Sequence, residues 1–375
     1  MKFDINGALM EICVGREDIK QFFIEELGHF KSGRNNHTNI KIVFKKKIRG
    51  CSESEMVGNE GESTPYGLIL KIKQRTKIEI PYQDVGQRII VNCEEGINLS
   101  SFFHDILEPL IHYRLLGKKK ALVHCSSLVY KKRGLLLFGY GGSGRTTVLL
   151  EFLRNGASFV SDDHTIISSD GTFFSLSRKV TLENNKRIGT YGKNHFEAFP
   201  EFIYKISRNF TQRIHLWVKV GLSRILSLIS KNIGVQKCKI GKILLNTMYA
   251  RIKIQKRVLI SQLFPRIQSV PSASCTCLFS LVRHSGKETE IVQEDADQIV
   301  EEMIITNMME HMRFLRNYEM FKFIFPRIKS KVIEEREALE RKIFAKFLQS
   351  KKIIRVKVPF DFSPADLVNQ MIRLL

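Results

Sequence analysis

The chain has no paired Cys-x-x-Cys array: its seven cysteines, at positions 13, 51, 93, 125, 238, 275 and 277, are scattered and odd in number. That argues against a disulfide framework and against a cysteine-built metal site, so the thiols read as reduced and the chain as cytoplasmic. Cys275-Thr-Cys277, set in an apolar run, reads as part of a buried strand. No stretch approaches the roughly 18 uncharged apolar residues of a membrane span. Nor does an apolar segment follow the charge of Met1-Lys-Phe-Asp-Ile-Asn, so no cleavable leader is expected. Internal repeats are also absent.

Acidic residues are missing over one long stretch. From Phe202 to Lys287 there is no Asp or Glu against 16 Lys or Arg, within a chain of 60 Lys plus Arg and 38 Asp plus Glu whose net charge is +22. An excess of that size calls for anionic partners: nucleotides first, then nucleic acid or an acidic surface. Ile214, Val218, Leu222, Ile225 and Ile229 line one helical face with Lys219, Arg224 and Lys231 elsewhere, an amphipathic basic helix. Two readings stand: a lobe that grips an anionic partner, or a helical insertion whose apolar face packs and whose charges are solvated. Aromatics for base stacking are few there beyond Phe210 and Trp217.

What the sequence does carry is concentrated between residues 134 and 163. Gly134 is followed by Leu-Leu-Leu-Phe138, a short buried strand; Gly139-Tyr-Gly-Gly-Ser-Gly144 is a glycine-rich turn; and from Arg145 the residues Leu149, Phe152 and Leu153 recur at helical spacing until Gly156 caps the helix. A strand, a glycine turn and a helix place unpaired backbone N–H groups at the positive end of a helix, where an anion can approach closely. Gly139-x4-Gly144-x-Thr146 has Walker A spacing, with Arg145 where the strict motif has lysine. Gly139, Gly141 and Gly144 also satisfy the dinucleotide fingerprint G-x-G-x-x-G, with Asp162 or Asp163 as its ribose-binding acid. Context favours the first reading. After the acids come Thr165 to Ser168, an Asp170-Gly171 turn and Phe173 to Leu176, a hairpin rather than further strand and helix alternation. The hydroxyls of Thr146 and Thr147 also stand where a metal-bound triphosphate needs one.

The block from His124 to Thr147, followed by Asn155-Gly-Ala-Ser-Phe-Val-Ser-Asp162-Asp163, resembles the catalytic core of the HPr kinase/phosphorylase family over about 50 residues. His124 lies 21 residues before Arg145 and Asp163 lies 18 after it, as in that family. The resemblance implies a P-loop kinase core in an α/β fold that binds ATP and Mg2+. In it, Gly139, Gly141, Gly142, Ser143, Gly144, Arg145, Thr146 and Thr147 would bind phosphate, and Thr146 with Asp162 would hold the metal. Asp163 would deprotonate the acceptor hydroxyl, with His124 and Arg145 assisting. The acceptor implied is a protein or peptide serine, or a small-molecule hydroxyl. The departures are Arg145 for lysine, Thr147 where the bacterial enzymes carry glutamate, and no match to the later glutamate and arginine motifs. A nucleotide-binding regulator without transfer, its basic lobe held to an anionic partner, is the alternative.

With 43% hydrophobic and 26% charged residues the chain can bury a core, and 375 residues allow two or three domains. We expect an α+β region over 1–116 and the P-loop domain over 117–375, with a basic, mostly helical insertion at about 202–265. In the first region, Asp18 to Phe30 reads as a helix, and Asn39 to Phe44, Leu68 to Ile72, Lys77 to Ile80 and Arg88 to Val91 read as strands around a polar loop from Cys51 to Pro65. Leu99 to Leu116 reads as a helix whose His104 and His112 are surface or satisfied core histidines. The strand holding His124 is expected beside Gly134 to Phe138. Further on, Ser274 to Arg283 reads as a core strand. A helix from Asp295 carries Ile299, Met303, Met308 and Met312 as core, Lys329 to Lys352 reads as a surface helix, and Ile353 to Val358 with Ser363 to Leu375 closes the chain as strand and helix.

Overall fold

The computed structural model describes residues 1–33, 37–48, 55–57, 61–72, 76–183 and 255–375. The molecule is mixed α/β. By internal contacts it forms two compact units, Met1–Val180 with Leu259–Leu375, and Thr181–Val258. Of the second, only residues 181–183 and 255–258 are described, as parts of the paired strands Lys179–Glu183 and Gln255–Leu259. Most of the basic insertion, with its amphipathic face, lies outside the described residues.

The first unit holds two large sheets. Strands between Lys2 and Glu94 form an eight-stranded sheet covered by the helix Glu17–Leu27, and strands between Lys120 and Pro359 form a nine-stranded one. One continuous hydrophobic cluster runs from Phe3 through Phe102 and Phe138 to Phe347, so both sheets share a core. The segment Cys51 to Pro65, expected as loop, contributes the strands Glu55–Val57 and Gly61–Thr64 instead: pairing on the sheet edge outweighs their polar composition. Asn98 caps the next helix by accepting from Ser101 N at 2.9 Å. That helix is Leu99–Phe102, a π turn Phe103–Leu107, then Glu108–Leu116. Pro109 has no N–H to give the ladder, which accounts for the π turn beside it.

The nine-stranded sheet forks, and the fork positions the site. The central strand Ser272–His284 runs parallel to Arg133–Phe138 on one side. On its other side it pairs first with Thr172–Ser175, then, from Cys277 onward, in parallel with Lys352–Pro359. Lys120–Val123 belongs to one arm, paired with Thr165–Ser168, whereas Cys125–Tyr130 belongs to the other, paired with Arg133–Phe138 and with Ser158–Ser161. The chain therefore changes arms twice at one place, at His124 and again at Asp162–His164. This corrects the expected pairing: the strand beside Arg133–Phe138 is the one after His124. Its polar Cys-Ser-Ser start hides a strand whose Ser126 and Ser127 are buried against other polar groups.

Two helical expectations are also corrected. Arg336–Leu348 is no surface helix: Phe344, Phe347 and Glu340 are fully buried, Glu340 against His112 at 2.9 Å and Asn307 at 3.1 Å. Arg336 and Glu340 pair inside at 3.3 Å, while Glu337, Lys342 and Lys346 stay exposed, so one face of the charged helix is solvated and the other is core. On Ala296–Glu310 the residues Ile299 and Met303 are core, but Met308 on that helix and Met312 on the next are exposed. Among the described residues no helix is long and apolar enough to cross a membrane.

Candidate functional site

The strand Arg133–Phe138, the turn Gly139–Gly144 and the helix Arg145–Arg154 follow one another as the glycine spacing predicts. Gly142 and Gly144 take left-handed backbone at φ 83° and 101°. A Cβ on Gly139 would overlap the Leu281 carbonyl, so this position needs glycine for close packing. Gly141 and Gly142 face open space, with nothing within 4 Å of an added Cβ. The helix ends in a Schellman arrangement: Gly156, at φ 85°, donates to Leu153 O at 3.1 Å and Ala157 donates to Phe152 O at 3.0 Å. Val148, Leu149, Phe152 and Leu153 are buried, which fixes the axis that points at the turn.

Below the helix start lies Asp162, 1% exposed. Ser126 Oγ donates to its Oδ1 at 2.5 Å, and Thr146 Oγ1 donates to Oδ2 at 3.1 Å. Burial first, and then the charge of Asp163, push the Asp162 carboxyl up to about 6, against the opposing pull of Ser126 and Arg145. A carboxylate this costly to ionise, ringed by two hydroxyls, is a set of hard oxygen donors suited to magnesium. No cluster of three His, Cys, Asp or Glu side chains fit for a metal occurs among the described residues. Magnesium beside a nucleotide needs none, because it takes one or two carboxylates and completes its shell with phosphates and water. Asp163 follows in left-handed backbone at φ 65°, an uncommon conformation for a residue with a Cβ.

Arg145 is 9% exposed and turned inward. Its guanidinium donates to the His124 carbonyl and, at 2.8 Å, to His124 Nε2. His124 Nδ1 stands 2.7 Å from Glu310 Oε1, and its ring stacks on His164 at 5.2 Å. These partners assign the proton to Nδ1 and the lone pair to Nε2. Burial lowers the His124 pKa, so the ring is neutral at pH 7. Glu310 is held below the usual carboxylate range: burial would raise it, but the hydrogen bond from His124 and the charge of Arg145 prevail. His164 in turn lies 3.6 Å from Glu108, which bonds His104 at 2.7 Å, so that π turn borders the site.

The sequence-predicted residues Gly139 to Thr146, His124, Asp162 and Asp163 thus converge on one corner of the fold. Three of the predicted phosphate-binding residues orient differently from the rest, the first being Arg145, turned onto His124. Thr147 is exposed on the helix, and Ser143 is buried, its N–H given to Tyr140 O at 3.1 Å. Four further residues escaped sequence reasoning: Ser126, His164, Glu310 and Arg283. Arg283, at the end of the central strand, donates from Nε to Gly142 O at 3.3 Å and from Nη1 to Pro359 O at 2.6 Å. Nothing local in sequence marks Glu310 or Arg283, since each joins the site through tertiary pairing. His164 directly follows the paired aspartates and was legible there. No family model matches the chain, and no curated protein matches it either.

Proposed function

We propose that the chain is an ATP- and magnesium-dependent phosphotransferase that moves a γ-phosphoryl group to a hydroxyl, on a protein or peptide serine or a small molecule. The observation that carries this reading is the bond between Thr146 Oγ1 and buried Asp162, at 3.1 Å, directly beneath a glycine turn that opens a helix. The turn and helix N-terminus would cradle the phosphates, with the charge of Arg145 beside them. Thr146 and Asp162 would hold magnesium, which neutralises phosphate charge when bound. Asp163, half-buried beside Asp162 in left-handed backbone, would accept the hydroxyl proton. His124, fixed by Glu310, keeps Arg145 in place. The resemblance of residues 124–163 to the HPr kinase family supports the same assignment. The hairpin Thr165–Ser168 with Thr172–Ser175, and the engagement of Asp162 by Thr146 and Ser126, speak against a ribose-binding acid and a dinucleotide.

A second reading is favoured by one contact: the Arg145 fork is engaged on His124 rather than on the turn, as suits a nucleotide-binding regulator without transfer. Asp163→Asn separates the two. In a kinase it lowers phosphoryl transfer by about 10²-fold or more at nearly unchanged ATP affinity. In a regulator the wild type transfers to no acceptor and the substitution alters nucleotide affinity alone.

A further inference from the structure

Beyond the phosphate turn, two aromatic rings stand in water on the two loops that Arg283 ties together. Tyr140 is 62% exposed and Phe360 57% exposed. Among the described residues four large aromatics are exposed, Tyr66, Tyr140, Phe323 and Phe360, and two of them lie on the two loops joined by Arg283. Tyr140 is also the only residue of the turn other than glycine and serine. It serves the turn through its backbone, by accepting the Ser143 N–H, and its side chain is not needed for that bond.

The Arg283 guanidinium bonds Gly142 O and Pro359 O and lies 4.5 Å over the Phe362 ring. Nη2 and the Phe362 ring also approach Gly144, at 3.2 and 3.4 Å from where a Cβ would be. The loops Gly139–Gly144 and Pro359–Ser363 are therefore clasped side by side. They lie beyond the carboxyl ends of three neighbouring parallel strands, Arg133–Phe138, Ser272–His284 and Lys352–Pro359. In open α/β sheets that crevice is where ligands bind. An exposed ring beside a phosphate cradle is suited to stack a base, because every base presents a π-face.

We propose that Tyr140 and Phe360 form an aromatic platform for the purine of a nucleoside triphosphate whose phosphates rest on the glycine turn. This rests on the phosphate-turn reading and extends it to the base. Stacking reads the ring face and not its edge, so ATP and GTP bind alike.

Titration calorimetry of the full chain with magnesium, using ATP, GTP and inorganic tripolyphosphate, tests it. In the wild type ATP and GTP bind about tenfold or more tighter than tripolyphosphate, the gain expected of one aromatic–base stack. Tyr140→Ser and Phe360→Ser shrink that ratio toward one, and Tyr140→Trp keeps it. Equal affinities for ATP and tripolyphosphate in the wild type, or an unchanged ratio in both serine variants, overturns the platform while leaving the phosphate turn standing. If tripolyphosphate does not bind at all, the phosphate turn falls and the platform with it.

Discussion

Asp162 carries the sharpest consequence at the scale of single residues. Its carboxyl is raised to about 6 in the fold, so its contribution to stability is fully present below the unfolded value near 4 and is lost as pH rises through about 6. At pH 7.5 the ionised group therefore costs stability, and Asp162→Asn, which keeps size and can still accept from Ser126 and Thr146, raises the stability of the ligand-free protein by about 2 kcal/mol in urea unfolding. The same substitution removes any stabilisation by magnesium and nucleotide. A variant less stable than wild type at pH 7.5 would show that the carboxylate is held by a compensating charge. Arg145 supplies the second residue-scale prediction. Lysine cannot fork onto both the carbonyl and Nε2 of His124, so Arg145→Lys loses about 1 kcal/mol of stability but, keeping the charge, leaves ATP affinity nearly unchanged. Arg145→Ala weakens ATP binding by about 1 to 3 kcal/mol. If alanine binds ATP as well as arginine does, the charge at the helix start contributes nothing to the ligand.

Among the elements, the glycine turn divides into positions that build it and positions that face open space, where the proposed nucleotide would lie. A side chain on Gly139 meets the Leu281 carbonyl, so Gly139→Ala destabilises the fold by about 2 kcal/mol or more. Gly141→Ala meets nothing, so the protein stays folded and any loss appears in nucleotide binding. Thermal unfolding of the pair, run beside ATP titrations, distinguishes them, and equal stability of the two would undo the assignment. The helix itself depends on its buried face: Phe152, 0% exposed and packed on Tyr130, costs about 3 kcal/mol or more when cut to alanine. These elements were legible because the cues are local: glycine spacing, apolar residues at helical intervals, the D-G turn, and Ser363 with Pro364 at the start of the last helix. The short strands Glu55–Val57 and Gly61–Thr64 were not, because their stability comes from neighbours in the sheet. Charge misled in the same way at Arg336 and Glu340, which answer each other, His112 and Asn307 inside the core.

For the whole molecule, the instructive part is the forked sheet. The sequence near the turn pointed to Thr146, Asp162 and Asp163, and the structure brings Thr146 to Asp162. The reason they meet was hidden: the chain crosses between sheet arms at His124 and at Asp162–His164, and a helix that ends at Glu310 closes the corner. Pairings between residues as far apart as 124 and 310 leave no periodic trace, so Glu310 and Arg283 had to be seen. The net charge of +22 favours an anionic ligand at this corner as elsewhere, without choosing which. Calorimetric titration of the full chain with ATP, with and without magnesium, is the most direct test. The proposal predicts a single saturable site that needs magnesium and is lost in Asp162→Ala. Absence of ATP binding in both conditions, or binding indifferent to magnesium and to Asp162, would contradict it.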